Sequence, residues 1–473
     1  MRFFSLTVFR LAFFPLAVFP QSLIFEHATV IDATGAPAKT DVSVLIRDGR
    51  IAAVGKVLRA EDSVAIDARG KFIIPGLWDM HFHVSRPDVQ FPLLVANGVT
   101  GVREMYTGAP QAQAEQWRAL TDAPTLVLPG FIDGPRLLSA GPLPPNAAVV
   151  GSAFEARSVV RRFALAGVDF LKIYSSLPRA AFLGVAQEAK TLRLPFAGHV
   201  PEEVSPIEAS NAGMRSQEHL NNILLAASTR EDRLRKERVI VMNDPGLSGK
   251  ARLRMLAWPD VKILSDTYSP AKAALLFRTF VKNGTWQTPT LVALLSFSSN
   301  GVSDDALRRY HPQAWTSAWD PRQSNYFKDL SEAEIGIWKT RARAILVRHR
   351  IVVRDMQRAG VGILAGTDTH PNTPLFPGWS LHEELALLVE SGLTPMQAVQ
   401  SATRNPALYF DRLNDMGTVE VGKMADLVIL DANPLLDIRN TQKISGVVMR
   451  GKYYSRRDLD ALLAAAESAA LKQ

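Results

Sequence analysis

His81-Phe82-His83 closes an apolar run that opens after the Pro75-Gly76 turn. Residues two apart on a β-strand project to one face, so these two imidazoles can hold one cation between them. Polar residues recur at the ends of later apolar runs. Lys172 follows Val168-Asp169-Phe170-Leu171, His199 follows Phe196-Ala197-Gly198, and His219 follows Ser216-Gln217-Glu218. Asp368 closes the stretch from Val361 through Gly366-Thr367, with His370 two residues beyond. Taken singly, each has an ordinary reading as a solvated lysine or a hydrogen-bonded histidine. Brought to one place, they would form a metal site with zinc-type donors.

The elements that could bring them together are strands. Apolar segments at 77–83, 99–105, 125–131, 170–174, 195–199, 215–219, 286–292 and 361–368 alternate with helical sequence such as 180–192 and 381–391. Eight strands with intervening helices predict a (β/α)8 TIM barrel, an α/β fold whose strand ends converge on one mouth. A doubly wound open sheet is the alternative, but no Gly-x-Gly-x-x-Gly turn follows an early strand. Short strands with polar turns fill both chain ends. They predict a small β-sandwich domain built from 21–74 and 416–473, with a C-terminal helix, around a barrel of 75–415. The connections 221–284 and 295–343 exceed what a simple barrel needs and read as candidate lids.

Composition narrows the class. At 473 residues, 47% hydrophobic and 21% charged, the chain suits a large barrel with additions and argues against extended disorder. The net charge of +8 is mild for this length and its basic residues are scattered, so no nucleic-acid partner is expected. Cysteine is absent, which removes disulfides, thiolate nucleophiles and cysteine zinc sites. Residues 1–20 read as a signal peptide: Arg2 gives a basic start and 3–18 is apolar apart from Ser5, Thr7 and Arg10. Export to the periplasm or medium is the expectation, with a cytoplasmic or membrane-anchored chain as the alternative.

The run from Pro75 to His83, with Lys172, His199, His219 and Gly366-Thr367-Asp368, resembles the metal-dependent amidohydrolase superfamily. The segments Ala402-Thr403-Arg404-Asn405-Pro406-Ala407 and Gly417 to Val428 are similar to the end of its imidazolonepropionase-like and Xaa-Pro dipeptidase-like members. The resemblance implies two divalent metal ions, zinc by donor type. It places His81 and His83 on the more buried ion and His199 and His219 on the more exposed one. Lys172, carbamylated, would bridge them. Asp368 would ligate the buried ion and act as the catalytic proton acceptor while metal-bound hydroxide attacks a carbonyl. One departure is that dipeptidase-like members often continue from the lysine into Ser-Gly-Gly, whereas this chain has Tyr174-Ser175-Ser176-Leu177.

Tyr174 and His382 are the candidate substrate contacts. Tyr174 shares the face of Lys172 on a continuing strand, and His382 falls at the start of the helix after the eighth strand. His370 competes with Asp368 for the proton-transfer role. The resulting expectation is a hydrolase of an amide bond in a small peptide, N-acyl amino acid or related amide. The alternatives are a cyclic amide, lactone or ester cleaved at the same site, and a catalytically silent binding relative. A homo-oligomer is compatible with either enzyme reading.

Overall fold

The computed structural model describes residues 22–472, apart from 57, 59–62, 107–108, 121–122, 136–146, 258–260, 300–304 and 325–326. The signal peptide expected at 1–20 lies outside the described residues. Five strands open the described chain: β1 (Ser22–Val30), β2 (Lys39–Arg47), β3 (Arg50–Gly55), β4 (Ser63–Asp67) and β5 (Phe72–Pro75). Asp48 and Gly49 join β2 to β3 with φ of 48° and 73°. That left-handed pair makes the two-residue turn whose twist suits a hairpin.

The centre supplies β6 (Leu77–Phe82), β7 (Val99–Glu104), β8 (Thr125–Val127), β9 (Pro129–Asp133), β10 (Ala147–Val149), β11 (Phe170–Ile173), β12 (Phe196–Gly198), β13 (Ser216–Glu218) and β14 (Trp286–Thr288). All pair in parallel, as β6-β7-β8 and as β10-β9-β11-β12-β13-β14. Parallel strands covered by helices are buried on both faces, and every residue of β6, β7 and β11 is buried. The third apolar run of the sequence is split at Leu128 into β8, which pairs with β7, and β9, which pairs with β11.

The eighth run, 361–368, forms no regular strand. It still spans the gap between β14 and β6: the Leu364 N–H donates to the Gln287 carbonyl, and the Met80 N–H donates to the Ala365 carbonyl, both at 2.9 Å. Isolated parallel bridges at Gln287–Ile363 and Phe82–Thr369 mark the same two seams. Two glycines let this segment pack tightly on its neighbours. A Cβ on Gly362 would sit 2.2 Å from the Trp286 ring, and one on Gly366 would sit 2.7 Å from Thr288. The backbone therefore runs closer to its neighbours than a residue with a side chain allows.

The last strands, β15 (Leu427–Leu430), β16 (Ile444–Met449) and β17 (Lys452–Ser455), return to the first five. One eight-stranded sheet results, ordered β17-β16-β15-β5-β1-β2-β3 with β4 beside β1. Phe25, Val44, Ile73, Leu427 and Val448 share its core. The C-terminal helix Arg456–Ala470 places Ala466, Ala469 and Ala470 against Val89 and Leu93 of the barrel helix Pro87–Ala96. Both long connections are helical. The second one docks on the segment after Asp368, where Trp319 donates to the Pro371 carbonyl at 3.2 Å.

Candidate metal centre

His81 lies within β6 and His83 one residue past its end; Lys172 lies within β11; His199 and His219 follow β12 and β13. Asp368 lies on the irregular eighth segment. His219 and Asp368 both hold left-handed backbones, with φ of 60° and 59°. Such a conformation is uncommon for residues with a Cβ and concentrates at functional sites. It has a visible effect here. A regular strand would send Glu218 and His219 to opposite faces. The turn at His219 instead lets both reach His81: the Glu218 carboxylate is 3.0 Å from Nδ1, and the two imidazole centroids are 4.4 Å apart.

All four histidines are anchored through Nδ1. His81 meets Glu218 Oε2 at 3.0 Å, His83 the Tyr106 carbonyl at 3.3 Å, His199 the Ser175 hydroxyl at 2.7 Å and His219 the Thr290 hydroxyl at 2.7 Å. A carboxylate and a carbonyl only accept, so His81 and His83 must donate from Nδ1 and keep a lone pair on Nε2. Those Nε2 atoms lie 3.3 Å and 2.8 Å from Asp368 Oδ1. Two lone pairs and a carboxylate oxygen facing one another at these distances repel unless a cation joins them.

The donor set fits a divalent metal on that ground. Ligand atoms of His81, His219 and Asp368 lie within 4.8 Å of one another. This trio takes members from both of the metal pairs implied by the family resemblance. Lys172 adds a second observation: it is 1% exposed, and its Nζ has no hydrogen-bond partner among the described residues. An ammonium in that position would be a poor neighbour for cations, whereas a carbamate on the same nitrogen would be a ligand.

The electrostatics run the same way. Burial pushes the Lys172 amine down to about 8, against the pull of Glu218 and Asp368. Burial and then the Lys172 charge hold His81 and His199 below the usual imidazole range, and burial with the His81 charge brings His219 to about 3. Neutral imidazoles are the ligating form. Burial would raise the Asp368 carboxyl, but the imidazoles of His219, His81 and His83 gathered around it hold it well below its ordinary value.

Of the remaining expected residues, Tyr174 joins the cluster and His382 does not. The Tyr174 ring lies against His199 with centroids 4.3 Å apart. His382 is fully buried away from it, contacting the Thr441 hydroxyl at 3.0 Å and the Asn97 carbonyl at 3.1 Å. Its position in the first turn of Trp379–Glu390 suggested a mouth location, but the ring turns into the interior, where backbone and hydroxyl groups satisfy both nitrogens. His370 approaches His83 to 5.7 Å between centroids, and its Nδ1 accepts from the Asn372 N–H.

Several participants escape a reading of the sequence alone. Glu218 is one; its signal was a carboxylate directly before a strand-end histidine. Arg103 is another, a charge inside the apolar run 99–105. Asp79 accepts from Thr367 and from the His81 N–H, which ties the eighth segment to β6.

Residues 264–453 match the model of the Amidohydrolase family. A dihydroorotase from a Thermoanaerobacter species is 42% identical over 65 residues, 14% of this chain and 15% of that protein. An imidazolonepropionase from Pyrobaculum arsenaticum is 42% identical over 82 residues, 17% of this chain and 19% of that protein. The chain thus spans less than a fifth of the length of these curated relatives. Among solved structures, a Xaa-Pro dipeptidase with methionine bound in its active site has a TM-score of 0.64 at 19% identity, covering 92% of this chain and 100% of the other. Bottromycin amidohydrolase reaches 0.71 at 24% identity, covering 96% and 91%. These likenesses extend over the barrel and the composite sheet together.

Proposed function

We propose that this chain, whose residues 264–453 match the Amidohydrolase family model, hydrolyses an amide bond in a small peptide, N-acyl amino acid or related amide with the help of two divalent metal ions, zinc by donor type. The observation that carries this reading is the common aim of the four histidines. Each is anchored at Nδ1, and the Nε2 atoms of His81 and His83 face Asp368. His81, His83, His199, His219, Asp368 and a carbamylated Lys172 would hold the ions. Ions bound there make water a nucleophile near neutral pH and polarise the amide carbonyl.

The chain's own groups do the rest. Asp368 sits where it can take the attacking water's proton and hand it to the departing amine as the carbon–nitrogen bond breaks. Its lowered proton affinity keeps it ionised, so the carboxylate is free to take that proton as attack develops. Tyr174, tilted against His199, would border the substrate. His81 and Lys172 are buried while His83 and Asp368 stay partly open to solvent, so the inner part of the cluster has the lower dielectric and the outer part keeps a path for water and substrate. A second reading, cleavage of a cyclic amide, lactone or ester, is favoured by the short stretches shared with proteins named dihydroorotase and imidazolonepropionase.

The test is a panel of dipeptides, N-acyl amino acids, cyclic amides and esters assayed with zinc-loaded protein of measured metal content. Turnover of linear amides, lost on chelation and restored by zinc with bicarbonate, is the expected result. Turnover confined to rings or esters moves the conclusion to the second reading. At most one ion per chain after reconstitution removes the two-metal site.

A further inference from the structure

Beneath the ligands lies a charged chain that the proposed reaction does not use. Arg103 and Glu218 are both fully buried. The guanidinium donates to both oxygens of the Glu218 carboxylate at 2.9 Å. It also donates to the Met80 carbonyl and to the hydroxyls of Ser216, Tyr409 and Thr288, at 2.7, 2.7, 2.9 and 3.2 Å. Arg103 reaches from β7 to partners on four other elements, β6, β13, β14 and the helix Arg404–Tyr409, which together fix the guanidinium. A side chain held by that many partners has one position.

The Glu218 carboxylate inherits that fixity. Its Oε1 accepts from Arg103 and from the Ser216 hydroxyl, the latter at 2.5 Å. Its Oε2 accepts from Arg103 and is the one left to meet His81 Nδ1. Arg103 can only donate, so no proton on the carboxylate is needed to complete the set, and His81 must supply the Nδ1–H. Among the four anchored histidines, His81 alone has its Nδ1 within hydrogen-bond distance of a carboxylate among the described residues; the Glu104 carboxylate stands off from His83 Nδ1 at 3.9 Å. The Ser175 and Thr290 hydroxyls can donate or accept, and so do not dictate a tautomer to His199 and His219.

We infer that Glu218, locked by Arg103, is the positioning residue that fixes the tautomer and ring plane of His81 for metal binding. This rests on the metal site proposed above. A carboxylate behind a ligating imidazole makes it a better donor and orients it, and loss of such partners lowers metal affinity by roughly 10–100-fold. The effect should fall on the ion that His81 holds and spare the one held through the hydroxyl-anchored pair.

The experiment measures zinc affinity by competition with a chromophoric chelator, together with the visible spectrum of the cobalt-loaded protein, in wild type, Glu218→Gln and Glu218→Asp. Glu218→Gln removes the charge that dictates the tautomer. Glu218→Asp keeps a carboxylate for Arg103 and draws it back from His81, so it retains the buried charge pair if the glutamine variant does not fold. The expected result is two zinc ions in wild type and roughly 10–100-fold weaker binding of one ion in a folded variant, with an altered cobalt spectrum. Both affinities within about twofold of wild type in a folded variant, with an unchanged spectrum, overturn the inference. Wild type that holds fewer than two ions instead overturns the two-metal reading beneath it.

Discussion

His83 Nε2 lies 2.8 Å from Asp368 Oδ1, although 285 residues of chain separate them. The contact crosses the seam between β6 and the irregular eighth segment, so barrel closure and assembly of the candidate base are one event. Asp368→Asn keeps the size and one oxygen ligand while removing the basic carboxylate. Turnover should fall roughly 100-fold or more with most of the metal retained. His370→Ala should keep the acidic limb of the pH–rate profile, where a general base becomes protonated, because the His370 Nδ1 already accepts from the Asn372 N–H and burial lowers the ring to about 4. A near-normal rate in Asp368→Asn with a lost acidic limb in His370→Ala would reverse the two roles.

Lys172→Ala should abolish turnover, and acetate or propionate should restore part of it by supplying two oxygens where the carbamate stood. The unpartnered, buried Nζ motivates this prediction. Unchanged turnover in Lys172→Ala, measured at matched metal content, would make the lysine a bystander.

The metal-ligand pattern was legible because strand ends are conspicuous: an apolar run that stops at His, Lys or Asp is visible in one dimension. The Nδ1 anchors were not, since Ser175, Thr290 and Tyr106 acquire that role only when the barrel brings separate connections together. His382 misled for a related reason. Helix position alone does not say which way a ring turns, and the Asn97 carbonyl and Thr441 hydroxyl that claim it come from distant parts of the chain. The run at 361–368 meets its neighbours only at isolated bridges, a distinction between regular and irregular pairing that an apolar run does not carry.

Gly198 carries a prediction about stability. Its φ is 129°, and an added Cβ would lie 2.2 Å from the Ile173 carbonyl oxygen and 2.9 Å from Lys172 Cδ. Gly198→Ala should cost about 2–5 kcal/mol through backbone strain and overpacking, and should weaken zinc binding by displacing Lys172. Gly167→Ala is the control. Its φ is also positive, at 75°, but nothing lies within 4 Å of the new methyl group, so metal binding should not change. Urea unfolding and zinc titration of both variants check the contrast.

His311 makes the docked second connection sensitive to acid. Burial among Trp315, Trp319 and Phe376 lowers its ring to about 4, while Nε2 donates to the Leu375 carbonyl. The folded form thus binds its proton less readily than the unfolded form, whose value is 6.5. The stability this gives is complete above pH 6.5 and is lost as pH falls from there toward 4, on the order of 3 kcal/mol in all. Tryptophan fluorescence and limited proteolysis of this connection should change across that window in wild type and remain flatter in His311→Phe. An equal response in both would place the sensitivity elsewhere.

The eight-stranded sheet sets an order of events during synthesis. β5 pairs with β1 near one end of the chain and with β15 near the other, and the Lys71–Asp431 ion pair joins residues 360 apart. A ribosome delivers β1 to β5 first, so the β5 edge emerges with half of its hydrogen bonds unmet while the whole barrel is still being made. Unpaired edges recruit other strands, and contacts this remote in sequence form slowly. The early strands must therefore persist with an open β5 edge until the final strands arrive, and full-length chains should need shielding of that edge in proportion to how slowly they are translated.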